Sequence, residues 1–93
     1  MADDFIKADD GKVRAELLPP RAILAIARVL TFGAKKYAPE NWRKCGDPTR
    51  YTGAALRHVL AYMGGEQRDA ESGEHHLAHA ACCLMFIVDI EGA

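Results

Sequence analysis

Ninety-three residues, 49% hydrophobic and 27% charged, suit one small globular domain spanning 1–93 and leave no room for two. Twelve Lys and Arg against thirteen Asp and Glu give a formal net charge of −1, which excludes binding to nucleic acid or membrane through bulk positive charge. The three cysteines include the adjacent Cys82 and Cys83 and form no Cys-x-x-Cys pair, which argues against a disulfide framework or a zinc knuckle.

The acidic start, Met1 to Asp10, carries no apolar stretch of signal-peptide length. The longest apolar run, Ala80 to Val88, is about half a membrane span. A reduced, soluble, cytoplasmic protein is the expectation.

Residues 1–18 read as an irregular arm with a turn at Asp10-Gly11, around which Phe5-Ile6 and Val13 could form a short hairpin. A first helix is expected over 19–37. Pro19-Pro20 suits its first turn, where a missing amide donor has no partner to lose. Ile23, Ile26, Ala27, Leu30 and Ala34 then follow helical spacing, and Pro39 closes the element. Arg21, Arg28 and Lys35, seven apart, line one face as a solvated or anion-binding stripe.

A polar loop leads to a second helix over 51–63, in which Tyr51, Ala54, Ala55, His58 and Tyr62 share a stripe and Gly64-Gly65 supplies the stop. A third helix is expected over 73–91, capped by Ser72. From Ala80 to Val88 it is apolar around its whole circumference, which implies burial on every side. Two companion helices cannot surround it, so the pattern predicts an all-α bundle completed by self-association, most simply a two-fold dimer.

Charge is unevenly distributed: net −2 over residues 1–18, +6 over 19–57 and −5 over 58–93. The acidic third holds Glu66, Asp69, Glu71 and Glu74, carboxylates of the kind that bind hard cations such as magnesium, or that solubilise a loop. His75, His76 and His79 fall on one arc of the third helix beside them, and His58 lies on the second helix. Imidazoles beside carboxylates ligate metals or move protons; a transition-metal site of His75, His76, His79 and a carboxylate is one option, histidine packing another.

The basic third offers Lys35, Lys36 and Arg57 for phosphate. Tyr37, Asn41 and Trp42 add two aromatic faces and an amide suited to a nucleobase, unless Trp42 is a core anchor and Asn41 a turn residue. Cys82 and Cys83 sit in the apolar run and read as inert.

The strings KVRAELLPP (12–20), FGAKKYAPENW (32–42) and ALRHVLAYMGGEQRDAESGEHHLAHAACCLMF (55–86) resemble the small phage and bacterial family of dATP/dGTP diphosphohydrolase N-terminal domains. That resemblance covers residues 12 to about 91. It implies metal-dependent cleavage of a purine deoxynucleoside triphosphate to the monophosphate and pyrophosphate, in the host cytoplasm if phage-encoded. It also implies distant kinship with all-α nucleotide pyrophosphohydrolases of the MazG type, although the chain has no Glu-Glu-x-x-Glu and its Glu66-x-x-Asp69 falls in a loop.

The expected site is therefore placed from this chain's own residues. Glu66, Asp69, Glu71, His76 and His79 hold Mg²⁺ or Mn²⁺. His58, Glu71, His76 and His79 serve catalysis, and Lys35, Lys36, Tyr37, Asn41, Trp42 and Arg57 bind the nucleotide. The alternative is a non-catalytic helical module that senses nucleotides or contacts other proteins.

Overall fold

The computed structural model describes residues 5, 6, 8 and 10–92. Its elements are a 3-10 turn Ala15–Leu17, helix α1 Pro20–Lys36, a 3-10 turn Asn41–Lys44, helix α2 Thr49–Met63 and helix α3 His76–Ile90. No strand occurs among the described residues, where Arg68 and His75 form an isolated antiparallel bridge. The architecture is all-α. The anticipated hairpin is not formed: the turn at Asp10-Gly11 is present, but Phe5, Ile6 and Val13 are exposed and unpaired in any strand.

The helix boundaries follow local chemistry. In α1, Pro19 precedes Pro20 in extended conformation, and the Tyr37 amide closes the last turn on Gly33 O at 2.9 Å. Helix α2 begins at Thr49, two residues before the expected Tyr51. Asp47 is the reason: its Oδ1 accepts from Thr49 N at 3.1 Å and from Thr49 Oγ1 at 2.7 Å, while Pro48 is already helical.

Helix α3 begins later than expected. Residues 73–75 are not helical, and Ser72 is not the cap. Gly73 stands at φ +74, a left-handed conformation that breaks helical continuity. His75 is the cap residue, with its Nδ1 accepting from Leu77 N at 3.0 Å. The loop from Gly64 to His75 folds back on itself. Asp69 N donates to Glu74 O at 2.8 Å, His76 N to Gln67 O at 2.9 Å, and Ser72 N to Asp69 Oδ2 at 2.8 Å. The predicted acidic loop is thus an ordered turn held by several internal hydrogen bonds.

Both other helices pack on α3. Its Ala78 and Cys82 meet Val29 of α1, with Ala25, Ile26, Leu30 and Phe86 around them. Ala80 and, on α2, Ala55 are also buried. These small side chains allow close helix approach but supply little apolar area.

Burial of α3 on every side does not hold within one chain: Leu84, Met85 and Val88 are 48%, 38% and 53% exposed. Leu77 precedes them on the same outer stripe, and Leu56, Leu60 and Met63 form an exposed stripe on α2. By helical spacing each stripe lies roughly opposite the residues of its helix that face the cleft described next.

Candidate functional site

A cleft of about 350 Å³ runs between the end of α1, the Asn41–Lys44 turn, the inner side of α2 and the stretch of α3 from His79 to Phe86. Its apolar end is aromatic. Trp42 stacks on Phe86 with centroids 4.5 Å apart and planes 9° from parallel, and Tyr51 meets Phe86 edge-on at 5.2 Å. Tyr51 Oη donates to Trp42 O at 3.0 Å, tying the turn to α2.

The Arg43 guanidinium lies 4.2 Å from the centre of the Trp42 ring. Two groups so close to one ring centre must occupy opposite faces, so Trp42 offers a ligand only its edge. Arg43 is fixed in turn by Glu40 and Asp89, each at 2.9 Å. Tyr37, 65% exposed, lines the cleft with no aromatic ring stacked on it, and Lys36 Nζ stands 5.3 Å from its centre.

The opposite end is polar. Lys36 reaches from α1 to Glu71 Oε1 at 2.7 Å across the cleft mouth. Glu71 holds the Lys36 ammonium above the usual lysine range. On α3, His79 stacks on His58 of α2 at 4.5 Å and 11°, with its Nε2 2.6 Å from Ser72 Oγ and 3.9 Å from Asp69 Oδ2. Behind them His76, 4% exposed, faces His58 Nδ1 to Nδ1 at 2.8 Å. Its Nε2 faces Glu66 Oε1 at 2.7 Å.

These contacts set the charge states. Desolvation by burial, helped by the neighbouring imidazoles, pushes the His58 pKa below the histidine norm. Burial likewise lowers that of His79, against the opposing pull of Asp69. For Asp69, burial acts upward, but hydrogen bonding by Ser72 and the nearby imidazoles outweigh it and leave the carboxyl below its ordinary value. Neutral imidazoles beside an ionised carboxylate are the forms that bind a cation. The ligand atoms of His58, Asp69 and His76 all lie within 4.8 Å of one another, so the three could hold one metal ion.

The cleft thus brings together Lys36, Tyr37, Asn41, Trp42, His58, Asp69, Glu71 and His79. His76 and Glu66 form a second layer behind His58. Lys35 and Arg57 are exposed and outside the cleft lining. His75 is removed from the histidine cluster by its cap and rests against Tyr62 at 5.4 Å. Sequence reading missed Phe32, Tyr51, Ser72 and Phe86. The seven-residue spacings Tyr51–His58 and His79–Phe86 place each aromatic on the face of a candidate histidine, a signal that was present. The Ser72–His79 contact depends on the loop's fold and had none. Burial pushes the Cys82 thiol up to about 12 and raises that of Cys83, consistent with inert thiols.

A family model described as dATP/dGTP diphosphohydrolase, N-terminal, matches residues 4–93. The chain belongs to this family. It is 44% identical over 82 residues to a dATP/dGTP diphosphohydrolase of Salmonella phage PMBT28. That match takes in 88% of this chain but 28% of the phage protein, so the chain spans under a third of that relative's length. No solved structure gives a significant match to this family member. No helix among its described residues is long and apolar enough to cross a membrane.

Proposed function

We propose that the chain binds a purine deoxynucleoside triphosphate, dATP or dGTP, and hydrolyses it to the monophosphate and pyrophosphate with a divalent metal ion, Mg²⁺ or Mn²⁺. One observation carries the reading: a lysine, an open tyrosine ring and a group of imidazoles and carboxylates face a single cleft of suitable size. The relative's name supports the substrate class.

Tyr37 stacks on the base, and the Trp42 edge and Asn41 bound the base end. Lys36 exchanges Glu71 for the phosphates, and Lys35 and Arg57 add long-range positive potential from outside the cleft. His58, Asp69 and His76 fit a metal by the chemistry of their donors, with Glu66 bonded to His76 and His79 stacked on His58. When bound, the ion would neutralise phosphate oxygens and lower the pKa of a water. His79, its pKa lowered by burial and its ring lining the cleft, accepts the proton released from the attacking water. The reaction draws on a cytoplasmic nucleotide pool, that of the host for a phage protein.

The exposed stripes of α2 and α3 support self-association: a second copy laid on that face would cover Leu60, Leu84 and Val88 and complete a helical bundle. A non-catalytic nucleotide-sensing module is the second reading. It is favoured by the short span of the match, because the remaining length of the phage protein has room for the chemistry.

A panel of nucleoside triphosphates assayed for pyrophosphate release with Mg²⁺ and with Mn²⁺ separates the two. The enzyme predicts release from dATP or dGTP. No release with either ion, with nucleotide binding retained, favours the sensing module.

A further inference from the structure

Neither Glu66 nor His76 lines the cleft; the Glu66 side chain is 59% exposed and holds the buried His76 ring from the solvent side. His76 is 4% exposed, and both of its ring nitrogens are engaged: Nε2 with Glu66 at 2.7 Å and Nδ1 with His58 Nδ1 at 2.8 Å. A carboxylate only accepts, so Nε2 carries the proton and donates it to Glu66. In the neutral ring Nδ1 is then a bare lone pair aimed at His58 and the region of Asp69. Asp69 is itself oriented by the Ser72 amide on Oδ2 at 2.8 Å.

A carboxylate that fixes the tautomer of a histidine, leaving its other nitrogen free, is the arrangement found behind metal-ligating histidines. Two nitrogens bound at about 2.1 Å to one ion stand roughly 3.0–3.4 Å apart, so the His58–His76 separation needs to open by only a few tenths of an ångström.

We propose that His58, Asp69 and His76 form a site for one divalent transition-metal ion, that this site rejects magnesium, and that Glu66 is its positioning residue rather than a ligand. Two imidazole nitrogens and one carboxylate suit manganese, iron, cobalt or zinc. Magnesium demands oxygen ligands and gives up its waters reluctantly. The site therefore selects the second member of the Mg²⁺/Mn²⁺ pair and admits later ions of the row. Glu71 is held by Lys36 at the cleft mouth and takes no part in it. The inference deepens the reading above by choosing the metal, but it rests on the histidine geometry and is tested without nucleotide.

The test is calorimetric titration of the untagged chain with Mg²⁺, Mn²⁺, Co²⁺ and Zn²⁺, with the visible spectrum of bound Co²⁺ as a second readout. One ion binds per chain, affinity rises from Mn²⁺ to Co²⁺ to Zn²⁺, and Mg²⁺ binds at least 100-fold more weakly than Co²⁺. Asp69→Asn and His58→Ala each lose the Co²⁺ spectrum; either suffices if the other fails to fold. Glu66→Gln keeps the helical signal of the wild type, weakens Co²⁺ binding about 10–100-fold and shifts the Co²⁺ spectrum, and Glu66→Asp restores part of the loss. Glu71→Gln leaves Co²⁺ affinity within threefold.

Mg²⁺ binding within tenfold of Co²⁺, no binding of any ion, or unchanged Co²⁺ binding in Glu66→Gln overturns the proposal. The enzyme reading fails separately: a chain that binds Co²⁺ but releases no pyrophosphate keeps the metal site and loses the activity. Hydrolysis supported by Mg²⁺ alone does the reverse.

Discussion

Lys36 is the residue on which the proposed phosphate end of the cleft turns. Its ion pair with Glu71 joins two exposed side chains, 41% and 62% accessible, and pairs of that kind contribute about 0–1 kcal/mol. Lys36→Ala should therefore leave the urea unfolding midpoint nearly unchanged while weakening triphosphate binding about tenfold or more, the loss of a charge-assisted phosphate contact. A large drop in stability with unaltered nucleotide affinity would show the lysine to be a structural strut. Cys82 is the opposite case, a cleft-lining side chain that chemistry does not reach. With its thiol buried and pushed up to about 12, peptide mapping after iodoacetamide treatment of the folded protein at neutral pH should find Cys82 unmodified.

Among the elements, the α1–α3 contact and the loop before α3 respond to different changes. Ala78 is buried against Val29 and Cys82, so Ala78→Leu should cost about 1–3 kcal/mol by overpacking, read by chemical denaturation. Gly73 faces open space but stands at φ +74. Gly73→Ala should cost about 1–2 kcal/mol through backbone strain alone. Its larger effect should fall on ligand binding, because Asp69, Ser72 and Glu74 share the same turn. The three helices were legible from apolar periodicity and from proline and glycine punctuation. Two starts were misplaced where a side chain or a φ angle decided: Asp47 brings α2 forward, and Gly73 delays α3 until His76. The same delay sets His75 apart from His76 and His79, because it lies outside the helix as its cap. His58, Asp69 and His79 lie together at the polar end of the cleft. The Glu66–His76 bond depends on the loop's fold, which no periodicity encodes.

The whole molecule exposes 7303 Å², against about 5,300 Å² for a compact monomer of this size. The exposed apolar face of α2 and α3, with Leu60, Leu84 and Val88, contributes to that area. Light scattering should return twice the chain mass, and Leu84→Glu should return the chain mass with helical content retained. A wild-type monomer would leave that face to the rest of a longer protein. The central claim, that one cleft serves phosphates and metal together, is tested most directly by the affinity of a dGTP analogue with a non-hydrolysable α,β linkage, titrated with and without Mn²⁺. The account predicts at least tenfold tighter binding with Mn²⁺ in the wild type and no such coupling in Asp69→Asn. Equal affinities with and without the ion, or a coupling that survives Asp69→Asn, would contradict it.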